Sequence, residues 1–151
     1  MSNSIHIHIP SIPTKATAQQ KGVFIVAGKP RFFKKAAQKS AERNMVALLL
    51  AYKPEGFTPL EGPISLSVRL VWPFRKTESK RVVANGIEIP MPVRPDADNL
   101  AKMLCDSLME AGYFAKDDAQ VTRLTIQKRW GREGYWKIDA CPDGETTLWK
   151  N

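Results

Sequence analysis

Ile64, Leu66, Val68, Leu70 and Trp72 alternate with Ser65, Ser67 and Arg69. Successive side chains on a strand point to opposite faces, so this stretch demands a strand with one apolar and one wet face. The apolar face needs a covering layer, and two stretches of helical spacing can supply it. Phe33, Ala37, Ala41, Met45, Leu48 and Tyr52 recur at threes and fours over residues 33–52. Leu100, Met103, Leu104 and Leu108 do the same on a helix that Asp98 is placed to cap and that Gly112 stops after Ala111.

The remaining apolar segments read as strands. Residues 5–9 alternate strictly, with His6 and His8 on a solvated outer face. Residues 23–27 form an apolar run suited to a buried strand, ended by Gly28-Lys-Pro30. Residues 121–130 and 135–140, joined by Gly131-Arg-Glu-Gly134, predict an antiparallel hairpin. Within the basic stretch 73–95, Asn85-Gly86 between Val82-Val-Ala and Ile87-Glu-Ile predicts a second hairpin of type I′. Residues 141–151 read as an extended tail. The order strand, strand, helix, strand, helix, strand, strand specifies an α/β domain over 1–151, with a mixed β-sheet and two main helices. A chain of 151 residues is long enough for one core of that kind.

No apolar run approaches the roughly 18 residues that cross a bilayer, and the N-terminus has no signal-peptide core. Cys105 and Cys141 stand in no metal-ligand spacing, which fits reduced thiols in a cytoplasmic protein. Lys35, Lys39 and Arg43 repeat every four residues and read as the solvated side of the first helix.

Charge is distributed unevenly. The chain carries a formal net charge of +8, yet five of its seven aspartates lie between 96 and 118, and none precedes 96. Up to residue 95 there are 15 Lys and Arg against 5 acids, and from there on 8 against 10. A basic protein points to a polyanionic partner such as nucleic acid. An acidic patch within it repels itself unless a cation is held there, the arrangement found in metal-dependent nucleases. Asp96 and Asp98, two apart in extended backbone, would point the same way, and Asp118 or Asp117 would fold in from beyond the helix. Such oxygen ligands suit Mg²⁺, for which Mn²⁺ can substitute, rather than zinc. Lys102, one helical turn past Asp98, is placed to neutralise charge on a scissile phosphate, with Asp106 pairing to it at i+4. Arg75, Lys76, Lys80, Arg81 and Arg94, with Lys102, are the candidate DNA-binding cations.

Asp96-Ala-Asp98-Asn99-Leu-Ala-Lys102, Asp106-Ser-Leu108, Ala111-Gly112-Tyr-Phe and Asp117-Asp118-Ala-Gln-Val121 together resemble the RusA-type Holliday-junction resolvases of phages and prophages. The resemblance implies a RusA-like fold and a homodimer that cuts four-way DNA junctions symmetrically with Mg²⁺ during recombination and repair. It makes Asp96, Asp98 and Asp118 metal ligands, Asp117 a further acid beside them, and Lys102 the essential lysine. The segment 73–95 is longer than the link usual in that family. Two rival expectations remain: a related nuclease acting on other branched or flap DNA, and a basic DNA-binding protein without catalysis.

Overall fold

In the computed structural model of the chain, which describes residues 4–15 and 21–144, the strand with the clearest alternation takes the centre. This is β4 (Ile64–Pro73). It is flanked by β6 (Val121–Gly131), β7 (Tyr135–Pro142), β1 (Ile5–Ile9) and the two-residue β5 (Ile89–Pro90), in the order β1-β7-β4-β6-β5. β4 runs parallel to β6 and antiparallel to β7; β1 pairs antiparallel with β7, and β5 with β6. The sheet is therefore mixed, as the element order requires.

Segments 121–130 and 135–140 are strands but not a hairpin, because β4 lies between them. The reason is the amount of apolar surface on β4: Leu66, Leu70 and Val71 are all fully excluded from solvent. Such a strand is best buried with neighbours on both edges, and the short link after Gly131 steps across its end. There the Phe74 amide donates to the Gly131 carbonyl at 2.7 Å.

Two helices, α1 (Ala36–Ala51) and α3 (Ala97–Glu110), cover one face of the sheet. Ile5, Ile7, Ile9, Val68 and Ile138 join Met45, Leu49, Leu100 and Leu104 in a single core. The predicted stripe of α3 is buried throughout: Leu100, Met103, Leu104 and Leu108. The opposite sheet face is wet, with His6, His8, Ser67, Arg69 and Lys137 exposed. On it, His6 Nδ1 lies 2.7 Å from an Asp139 carboxylate oxygen, and His8 stacks on Tyr135.

Three expectations change. First, Phe33 belongs not to α1 but to a separate two-stranded ribbon, β2 (Lys21–Val26) with β3 (Lys29–Lys34). α1 then buries Gln38, Ala41, Met45 and Leu49, so Ala41 and Met45 keep their expected place while Ala37 and Tyr52 are exposed. Second, the apolar run 23–27 supplies a strand that is exposed rather than buried, since Val23, Phe24, Ile25 and Val26 lie open. Third, 73–95 holds no Asn-Gly hairpin. Lys80–Asn85 forms the short helix α2: the Ser79 hydroxyl accepts from the Val82 amide, and Gly86 closes the helix at φ 64°. Asn-Gly suits a left-handed helix end as well as a type I′ turn, and the serine six residues before Asn85 decides between them. Of the expected tail, Cys141 and Pro142 belong to β7, and residues 145–151 lie outside the described residues. So do residues 16–20.

Candidate active site

α3 begins two residues earlier than its sequence suggests. Asp96, not Asp98, is the N-cap, with extended backbone at φ −71° and ψ 143°, and its carbonyl accepts the Leu100 amide at 3.1 Å. Asp98 is already helical, so the two carboxylates do not share one extended strand face. The Asp96 carboxylate accepts no capping bond from the backbone; its one side-chain partner is the Asn99 amide at 3.5 Å. Both aspartates are exposed, and the positive end of the helix favours their charge. Lys102 lies one turn on, largely exposed, with Nζ 3.5 Å from an Asp106 carboxylate oxygen, the i,i+4 pair that the spacing predicts.

The acids beyond the helix divide their work. The Asp117 carboxylate accepts the Ala119 amide at 3.0 Å and caps the 3₁₀ turn Asp118–Gln120. Asp118 is half-buried, and its charge reaches the third turn of α3. The buried thiol of Cys105 is pushed up to about 11, by burial first, then by Asp118 and Asp106, with Lys102 opposing. No salt bridge joins Asp96, Asp98, Asp117 or Asp118 to a cation among the described residues. On a protein with net charge +8, carboxylates left without a cation are available to an added one.

The donor set is all oxygen, as Mg²⁺ requires. Among the described residues, no group of three or more His, Cys, Asp and Glu side chains stands together to hold a metal ion. The three-carboxylate site expected of Asp96, Asp98 and Asp118 is therefore not gathered among the described residues.

Three residues that sequence reasoning passed over hold this region in place. Lys128 on β6 donates from Nζ to the carbonyls of Val93 and Pro95, both at 2.6 Å, and so fixes the segment that delivers Asp96. A period-two reading of β6 contains the signal: Lys128 falls in register with Ile126 and Trp130, a lysine among inward-facing apolar residues. Gln120 donates to the carbonyls of Leu60 and Gly62 at 2.9 and 3.0 Å and anchors the Asp118 turn. Lys53 donates to the Ala111 and Gly112 carbonyls at 2.8 and 3.1 Å, closing the far end of α3. Nothing local in the sequence marks these two.

The candidate DNA-binding cations outside α3 are exposed: Arg75, Lys76, Lys80, Arg81 and Arg94, the last of them two residues before the Asp96 N-cap. Arg75 is the most constrained, paired with Glu78 at 3.0 Å and set over the Trp130 ring.

Unpaired carboxylates and a lysine on one helix of a basic α/β domain describe an enzyme that handles phosphates. The family model described as Endodeoxyribonuclease RusA matches residues 13–139, and the chain belongs to that family and is a nuclease. A relative from Lactococcus phage r1t, described as Crossover junction endodeoxyribonuclease rusA, is 27% identical over 128 residues, covering 85% of this chain and 88% of the relative.

Proposed function

We propose that this nuclease resolves four-way DNA junctions by paired phosphodiester hydrolysis with a divalent cation, Mg²⁺ or Mn²⁺, bound at the start of α3, in recombination and repair. The observation that carries the reading is the pair of exposed carboxylates, Asp96 and Asp98, at the start of the helix that carries Lys102, neither in a salt bridge among the described residues, in a chain matched by the family over residues 13–139. A bound cation supplies charge neutralisation at the phosphate and a water of lowered pKa. Asp96 and Asp98 hold it, with Asp118 and then Asp117 as the further acids on offer. Lys102, on the same helix, would offset negative charge growing on the phosphate oxygens. Asp106 keeps that ammonium on the correct side of the helix. Arg75, Lys76, Lys80, Arg81 and Arg94 bind the DNA backbone without reading sequence, through counterion release. Two symmetric cuts need two active sites, so the working unit is a two-fold homodimer.

The test is cleavage of a synthetic four-way junction in Mg²⁺, with a flap and a linear duplex as comparison substrates and Asp98→Asn alongside wild type. Products with 5′-phosphate and 3′-hydroxyl ends are expected from the junction. Asp98→Asn is expected to lose cleavage while binding the junction as tightly or more so, because a negative charge facing phosphate is removed. Wild-type protein that binds junctions yet never nicks them in Mg²⁺ or Mn²⁺ would refute the proposal; faster cutting of the flap would reassign the substrate.

A further inference from the structure

The β2–β3 ribbon forms a sheet of its own, hydrogen-bonded to no strand of the main sheet. A two-stranded ribbon is marginal in water and gains from anything that covers it. Its turn, Ala27-Gly28, takes φ 50° and 73°, the left-handed backbone of a tight two-residue hairpin, and so fixes the register. In that register Phe24 stands opposite Arg31, and Val26 opposite Lys29, on one face. Phe33 shares this face, its ring centroid 5.8 Å from that of Phe24 and the two planes tilted by 56°. Val23, Ile25 and Phe32 lie on the other face. The rings are wet: Phe24 is 49% exposed, Phe33 47% and Phe32 68%.

The charge around these rings selects the partner. Seven Lys and Arg precede residue 42, and no Asp or Glu does. Lys29 and Arg31 are exposed, and neither forms a salt bridge among the described residues. The core of a protein–protein contact is depleted of charge, lysine included, so cations set among the rings favour a polyanion over a protein surface. Phenylalanine carries no donor or acceptor with which to read a base edge in a groove. Its ring face suits the flat face of a base released from the helix, with cations alongside for the phosphates, the combination found on surfaces that bind single strands. Branched DNA offers such bases where its arms meet and pairing is interrupted. The ribbon is also tied to the helical layer that carries the candidate site: only Lys35 separates β3 from α1, and α1 packs on α3.

We propose that the ribbon face bearing Phe24 and Phe33 stacks on bases unpaired at the centre of a branched DNA, while Lys29 and Arg31 hold the adjoining phosphates. The choice of branched DNA rests on the function proposed above; the stacking surface rests on the exposed rings and the cations beside them. The ribbon then selects structure rather than sequence, because every base has a ring face to stack on. A linear duplex keeps its bases inside and meets only the cations.

The test uses the full chain and a synthetic four-way junction with 5-iodouracil at the branch point, in EDTA so that binding is read apart from cleavage. Irradiation is expected to join that base to Phe24 or Phe33, located by peptide mass spectrometry, and to give far less product when the same base sits inside a linear duplex. Phe24→Ala is expected to weaken junction binding on the order of 10-fold, the contribution of one stacked base, and to weaken duplex binding much less. Lys29→Ala and Arg31→Ala are each expected to lower the salt slope of binding by about 1 on both DNAs. The melting temperature of Phe24→Ala controls for folding; should that variant unfold, the cross-link to wild type decides. A cross-link that misses the ribbon, or equal losses on junction and duplex, would overturn the proposal. So would a fall in the sedimenting mass of Phe24→Ala, which would make this face a contact between proteins. Cross-linking through the ribbon by a wild type that nicks no junction would sink the nuclease reading and leave the stacking surface standing; a junction-cutting enzyme with no cross-link to the ribbon would do the reverse.

Discussion

Replacing Lys128 with Met keeps the length and apolar body of the side chain and removes only the ammonium. Two bonds at 2.6 Å disappear, to the Val93 and Pro95 carbonyls. A hydrogen bond to a charged group contributes about 1.5–3 kcal/mol. Val93 lies at the surface, where water replaces the lost donor at small cost, whereas Pro95 is buried and its carbonyl is left short of a partner. The loss is therefore about 2–3 kcal/mol, set mainly by the Pro95 bond. For a chain of this size, each kcal/mol moves the melting temperature by about 2–4 °C, so a fall of about 4–12 °C is expected. The larger consequence is positional. Asp96 follows Pro95 directly, and a displacement near 1 Å at a reacting group costs on the order of 100-fold in rate. Single-turnover cleavage of a four-way junction should show the rate constant lowered by about that factor, with junction binding weakened far less, because of the proposed phosphate-binding cations only Arg94 lies in the segment that Lys128 holds. Lys128→Arg retains the charge and should recover part of the rate. If Lys128→Met melts lower yet cuts at the wild-type rate, the lysine supports the fold alone and the positioning argument is wrong.

Asp117→Ala removes the cap of the Asp118 turn and should cost about 1 kcal/mol in a denaturant titration while lowering cleavage less than Asp118→Asn does; equal losses of cleavage would show that Asp117 acts in the chemistry. Tyr113, fully buried with its hydroxyl donating to the Leu49 carbonyl at 2.7 Å, is pushed up to about 12 by burial. Its folded value exceeds its unfolded value of 10.0, so its contribution is complete below pH 10 and lost as pH rises toward 12. Tyr113→Phe should flatten stability against pH in that window, and an unchanged slope would exclude the tyrosine as the cause. Lys80→Ala and Arg81→Ala should each reduce the slope of log K against log salt for junction binding by about 1 and leave the cleavage rate of bound DNA unchanged; an unaltered slope would remove those residues from the DNA surface.

Much of this protein was legible in residue order. Period-two alternation in β1 and β4 and the 3.6-residue stripe of α3 follow from local geometry, so they identify their own buried faces. The spacing from Asp98 to Lys102 to Asp106 is likewise a property of one helix, and the ion pair forms as that spacing dictates. Element order with two helical stripes also suffices for a mixed α/β sheet.

Tertiary structure decided what depends on competition between segments. Whether β6 pairs with β7 or with β4 turns on which strand has the most apolar surface to bury, a comparison across the chain that no local window contains. The burial of β2 failed for a related reason: an apolar run states that a segment wants cover, not that its own chain provides it. Asn-Gly at 85–86 fits two backbone states, and Ser79 selects one only once a helix has formed between them. The same holds at the candidate site. The sequence named the acids, but Lys128 holds the backbone before Asp96 from 33 residues away, and Gln120 ties the Asp118 turn to Leu60, 60 residues distant, by contacts that exist only when the chain is folded.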